Sequence, residues 1–322
     1  MSFQVSRTVL NNITLIHLID NNHSTGITII PEAGALLHEF MVPVNGKPFN
    51  IIENYPLDKP VKGQVTHYFR SAKLSPWVCR LAKGRYRFNE EEFQVQRMFS
   101  DGTALHGLLF DQTFNVVDEF SDDSSAAVTL KHTYSGYDAG YPFQYSCQVK
   151  YALYAEGVLE VETVITNLDN VNIPIADGWH PYFKLGGKAN NWELFFESKA
   201  MLEFDEKLIP TGTFIPFNAF NQPAPIADIQ LDNCFVLETT DTQPACMLRN
   251  PANNLLISFF PASGYPYLQI FIPDHRESIA IENISSAPDS FNNGIGLITL
   301  RPGHSHTFRV FYKAEVDEAQ QA

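Results

Sequence analysis

His106, His180 and Glu282 are the residues of this 322-residue chain whose types and settings could move protons. Each breaks the apolar alternation around it and falls near a strand end. His106 lies in TALHGLLF, where Gly107 leaves room for something to approach the backbone. His180 lies in DGWHPYFKLGG, where Pro181 biases it toward extended geometry and so limits where the ring points. Glu282 closes SIAIEN on the face opposite Ile279 and Ile281. Imidazole and carboxylate can both be tuned to titrate near neutral pH, so the set could serve general acid–base chemistry. Arg80, in PWVCRLAKGRY, and Asp232, in QLDNCFVL, add a donor and an acceptor of the kind that orients a polar substrate. Taken singly, each has a plainer reading. A lone histidine is most often a satisfied core or surface residue, and a strand-end glutamate is usually solvated. An isolated arginine tends to form a weak surface ion pair, and Asp232 could cap a turn.

The elements that must hold these side chains are strands. In FQYSCQVKYAL, Phe143, Tyr145, Cys147, Val149, Tyr151 and Leu153 share one face, while Gln144, Ser146, Gln148 and Lys150 share the other. GVLEVETVITN alternates in the same way, and the two runs are expected to pair as a hairpin around residues 155–157. Similar runs occur at NITLIHLI, GITIIP, AAVTLKHTY, NLLISFF, YLQIFIP, SIAIEN and HTFRVFYKA, separated by turn-rich stretches such as SGYDAGYP and RPGH. No long 3.6-residue apolar stripe is present, and one short helical turn is expected near residues 71–77. No linker or repeat divides the chain. The expectation is an all-β protein: one large antiparallel β-sandwich over residues 1–314, followed by a polar tail at 315–322.

Composition narrows the partners. A formal charge of −14 repels phosphate backbones and anionic lipid surfaces, so neither nucleic acid nor membrane is an expected partner. Apolar runs are strand-length, no signal peptide is evident at the start, and a cytoplasmic location is the default expectation. Cys79, Cys147, Cys234 and Cys246 are scattered without a CxxC pair. Neither a disulfide framework nor a metal-ligand cluster is expected, and no cofactor is called for.

The five polar residues have company. STGITIIPEAGALLHEFMVPVNGKPFNII, PWVCRLAKGRYRFNEEEFQV, LHGLLFDQTFNVV, DGWHPYFKLGG, LDNCF and IAIENISSAPDSFNNGIGLITLRPGHS occur in an order that resembles the aldose 1-epimerase (galactose mutarotase) family over most of the chain. Departures exist: Cys79 stands where many members carry Asn, and Pro181 where galactose mutarotases have Ser. The resemblance implies interconversion of the α and β anomers of a hexose through the open-chain aldehyde. It implies Glu282 as the base at the C1 hydroxyl, His180 as the acid at the ring oxygen, and His106 as a support for that oxygen. Arg80 and Asp232 would grip sugar hydroxyls. Trp179 could offer an apolar face to the pyranose, and it is equally well explained as a core aromatic.

Two rival readings stay open at this level. A hexose 6-phosphate mutarotase would need extra cations, and Lys73, Lys83 and Arg85 lie close to Arg80 in sequence. A non-catalytic carbohydrate-binding protein could use the same fold, although binding alone needs no acid–base pair. A glycosidase would need two facing carboxylates, and only Glu282 is a clear candidate. The chain is expected to act as a monomer or homodimer.

Overall fold

Alternation along the chain decides where the strands form, and their register decides which side chains meet. The computed structural model describes residues 2–238 and 243–317. Every run singled out by its period of two is a strand. Tyr145–Tyr154 and Val158–Asn167 pair antiparallel through the turn at Ala155–Gly157, as their patterns require.

Three antiparallel sheets carry the architecture. The first holds five consecutive strands from Phe3–Leu10 to Lys47–Asn50. The second holds nine, with Val158–Asn167, Ser305–Val316 and Leu255–Ser263 at its centre. The third is eight-stranded, and toward one edge it runs in the order Asp232–Leu237, Tyr267–Phe271, Ile279–Ile284, Gly178–His180 and finally Ala72–Leu74. The nine- and eight-stranded sheets face one another across a buried core in which Val161, Ile165, Phe308 and Val310 pack with Leu268, Ile270 and Ile281. This is the expected β-sandwich. The one α-helix among the described residues is Ser290–Asn293. Among the described residues no helix is long and apolar enough to cross a membrane.

The other face of the eight-stranded sheet matters most for function. A second apolar cluster lies there, where Tyr55, Val61, Val65 and Phe69 from the preceding loop cover Ala72, Leu74, Cys234 and Ile284. Period two therefore sends Leu268, Ile270, Ile279 and Ile281 into the main core and leaves Gln269 and Glu282 on the opposite side.

Two local expectations change. Residues 71–77 form no helical turn: Ala72–Leu74 is a strand paired with Gly178–His180, because the sheet edge offers these residues hydrogen bonds that an isolated turn could not match. The last strand continues to Val316, with Glu315 opposite Leu256 and Val316 opposite Leu255, so two residues assigned to the tail are paired. Residues 318–322 lie outside the described residues.

Candidate active site

Sheet register builds the site. Gly178 pairs with Ile284 and Tyr182 with Ala280, which sets His180 directly across from Glu282. Glu282 in turn pairs with Gln269, and Gln269 with Cys234. One row across four strands thus reads His180, Glu282, Gln269, Cys234, all on the face away from the main core. Nε2 of His180 lies 3.2 Å from Oε1 of Glu282. Asp232 sits diagonally from this row and accepts a hydrogen bond from Nε2 of Gln269 at 2.9 Å.

Loops supply the rest. His106 follows the short strand Ala104–Leu105 and adopts φ 59°, with Cys79 opposite it at φ 49°. Such positive values are uncommon outside glycine and persist only where neighbours fix them. Here the His106 N–H donates to the Cys79 carbonyl at 2.8 Å. Gly107 is forced: a Cβ there would stand 2.0 Å from the Ser75 carbonyl oxygen. What approaches Gly107 is therefore the chain's own backbone. Arg80 is anchored by its carbonyl, which accepts from the Asp289 N–H at 2.8 Å, and its Nε lies 3.6 Å from Asp101 Oδ2.

His106, His180, Glu282, Arg80 and Asp232 all line one cavity of about 290 Å³, at the small end of the usual range for ligand sites. The rings of His106 and His180 meet edge to face at 4.9 Å, and Tyr182 stacks on His180 at 5.0 Å. Trp179 is not there. It alternates to the other side, packs edge-on against Tyr151 and lies under the Lys73 ammonium at 4.8 Å, so its place is the core. Lys73 is buried on that side too, and neither Lys83 nor Arg85 lines the cavity. Among the described residues lining it, Arg80 is the sole Lys or Arg.

The sequence reading passed over Gln269, Tyr182, Phe69 and Phe271 as cavity residues. Gln269 had left a signal, being the polar break in YLQIFIP on the same face as Glu282. Residues 79, 106 and 282 carried none as a group. The expectation of no metal-ligand cluster needs correction, because ligand atoms of Cys79, His106 and Glu282 lie within 4.8 Å of one another.

Burial governs the electrostatics. It lifts the Glu282 carboxyl well above its ordinary range, Asp232 adds to the lift, and Arg80 offsets part of it. Burial lowers His180 from 6.5 to about 3. His106 is also held well below 6.5, by burial first and then by His180 and Arg80. Both shifts disfavour charge, so a proton shared between the two rests on Glu282 rather than on His180. Oε2 of Glu282, Nδ1 of His106 and Oε1 of Gln269 are buried without any hydrogen-bond partner. Unmet polar atoms around a cavity are what a hydroxyl-rich ligand would satisfy.

Comparisons with known proteins bear on the fold and the family. The chain is 29% identical over 304 residues to the uncharacterized protein YihR of Escherichia coli K12, covering 91% of this chain and 94% of that one. It is 23% identical over 270 residues to the maltose epimerase of Levilactobacillus brevis, with 76% of each covered. In fold it resembles a galactose mutarotase-like protein from Clostridium acetobutylicum, with TM-score 0.86 and 18% identity over 98% of this chain and 99% of that one. It also resembles a galactose 1-epimerase from Lactobacillus acidophilus, with TM-score 0.80 and 19% identity over 98% and 99%. The sequence profile of the family described as aldose 1-epimerase matches residues 16–313, and the chain belongs to that family.

Proposed function

We propose that the protein is a mutarotase acting on an unphosphorylated aldose. With the sugar seated, the proton shared by the pair crosses the 3.2 Å contact from Glu282 to His180. The freed carboxylate takes the proton of the C1 hydroxyl as the C1–O bond becomes a carbonyl and the bond from C1 to the ring oxygen breaks. His180 delivers its proton to that ring oxygen, giving the open-chain aldehyde. After rotation about C1–C2, the reverse transfers close the ring on the other face. A positioned acid or base of this kind typically contributes on the order of a hundred- to ten-thousand-fold. His106 steadies the ring oxygen, while Arg80, Asp232 and Gln269 hold hydroxyls and so fix the ring against the pair.

The observation that carries this reading is the single 3.2 Å contact between a buried imidazole and a buried carboxylate on the wall of a cavity. A binding protein gains nothing from such a pair. Among the described residues no lysine joins Arg80 at the cavity wall, which favours a neutral sugar over a phosphorylated one.

Polarimetry of freshly dissolved α-glucose, α-galactose, maltose and glucose 6-phosphate with purified protein tests the reading. The expected result is a faster approach to anomeric equilibrium with at least one neutral sugar and little effect on the phosphate ester. Binding without acceleration would return the protein to the carbohydrate-binding class.

A further inference from the structure

Cys79, His106 and Glu282 come from three separate parts of the chain, yet their ligand atoms fall within 4.8 Å of one another. We propose that these three side chains form a site for a single Zn²⁺-class ion on the cavity wall, and that the ion shuts the site down. Thiolate, imidazole and carboxylate together favour a borderline-soft divalent ion over Mg²⁺ or Ca²⁺. Three protein ligands leave the fourth tetrahedral position open toward the cavity, for water or a sugar hydroxyl.

Several features of the structure support this beyond proximity. All three residues are more than nine-tenths buried, at 7%, 6% and 1% exposure. Nδ1 of His106 and Oε2 of Glu282 have no hydrogen-bond partner, so neither must give up a bond to take a metal. The positive φ values at Cys79 and His106, locked by the 2.8 Å bond between their backbones, fix thiol and imidazole side by side. The cavity provides an entry path. Ligand atoms around Zn²⁺ sit roughly 3.3–3.8 Å apart for bonds of about 2.0–2.3 Å, so the set must draw in by about 1 Å. Small side-chain rotations supply that. Coordination replaces the Cys79 S–H bond with an S–metal bond and takes Glu282 as the carboxylate, so the thiol proton and the proton carried by the His180–Glu282 pair both leave to solvent.

The inhibitory part rests on the mutarotase reading: an ion on Glu282 occupies the lone pair that would take the C1 proton. Binding itself does not rest on it, and the test separates the two. Metal-free full-length protein is titrated with Cd²⁺, following the ultraviolet thiolate-to-metal charge-transfer band, and Zn²⁺ is then added to displace it. One Cd²⁺ per chain and a saturating band are expected. Cys79→Ala should abolish the band and weaken binding by more than about 100-fold, since even residues that merely orient metal ligands are worth about 10- to 100-fold. Cys234→Ala should keep the band. His106→Gln should retain the band at lower affinity, which keeps the proposal testable if Cys79→Ala fails to fold. No band in the parent, or an undiminished band without Cys79, overturns the site. In the polarimetric assay Zn²⁺ at saturation of the site should lower kcat with the base's lone pair occupied, and parental turnover with the ion bound would overturn the inhibitory part. A band that forms in a protein with no mutarotase activity would overturn that functional reading while upholding the metal site.

Discussion

Two buried acid–base pairs lie on opposite faces of the same sheet, and they are built to opposite specifications. Lys73 and Asp177 sit on the core side. Nζ of Lys73 donates to Asp177 Oδ2 at 2.6 Å, to Thr163 Oγ1 at 3.1 Å and to the Gly178 carbonyl at 3.2 Å, which uses all three of its protons. The Tyr265 hydroxyl donates to the same carboxylate oxygen at 2.7 Å, and the Asp177 N–H donates to Ser285 Oγ. Burial lifts the Asp177 carboxyl, and the Lys73 charge offsets part of that lift. His180 and Glu282 on the other face have each other, a stacked tyrosine, and polar atoms left over. On the core side every proton of Lys73 is used, and Asp177 Oδ1, which accepts no hydrogen bond, still lies 2.5 Å from the Lys73 ammonium, so the pair ties the two sheets together. A pair whose bonds are incomplete, at the wall of a cavity, is waiting for a ligand.

The comparison breaks most sharply at Glu282. Glu282→Gln keeps the shape of the site and removes the base, so kcat should fall by about 100- to 10,000-fold with little change in KM or unfolding midpoint. Turnover at the parental rate would move the base elsewhere. Lys73→Met should do the reverse. It leaves Asp177 buried without its cation, a loss of about 3–5 kcal/mol in stability, read as a lower denaturation midpoint. If the protein tolerates Lys73→Met and loses activity instead, the two pairs have been assigned backwards.

A smaller effect separates binding from chemistry. Gln269→Ala deletes the donor to Asp232 and a cavity amide while leaving His180 and Glu282 in register. Hydrogen bonds to charged groups are worth about 1.5–3 kcal/mol, so KM should rise by about 10- to 100-fold with kcat largely kept. Equal losses in both parameters would place Gln269 in the proton-transfer step. The smallest expected effect is an absence of change with pH. The working pair holds one proton. It gains a second only as the pH falls toward the lowered His180 value of about 3, and it loses its own only as the pH rises through the raised Glu282 value. Since kcat/KM follows that one-proton form, it should stay level from pH 7 down through 6.5, where a free imidazole titrates. An acid limb centred near 6.5 would mean that His180 is solvated and the pair is not buried in the working enzyme.

How much of this was legible in the sequence follows from what a sequence encodes. Alternation is local, so strands such as Tyr145–Tyr154 and the opposite facing of Glu282 and Ile281 were readable. The five polar residues could be nominated through the family resemblance, and all five line the cavity. Register between distant strands is not local. Nothing in the sequence aligns His180 with Glu282 across a sheet, or brings Cys79 beside both His106 and Glu282. Trp179 was misjudged as a possible cavity face because its two neighbours in sequence, Gly178 and His180, point the other way; a period of two already forbids all three from sharing a side. Residues 71–77 were misread for a related reason: their strand geometry is set by pairing with Gly178–His180, about a hundred residues downstream in the sequence.

The strand Ser305–Val316 lies between Val158–Asn167 and Leu255–Ser263, pairing with the first through residues 305–313 and with the second through residues 309–316. During synthesis it leaves the ribosome after every other strand of that sheet. Until it arrives, two strands rich in valine, isoleucine, leucine and phenylalanine carry open edges toward each other, a state prone to mispairing with other chains. Assembly of the sheet is thus a late, single event, in which the final dozen strand residues act as the key that joins two finished halves. Chains interrupted before Ser305 should accumulate as aggregates, with neither half competent to fold into the sandwich.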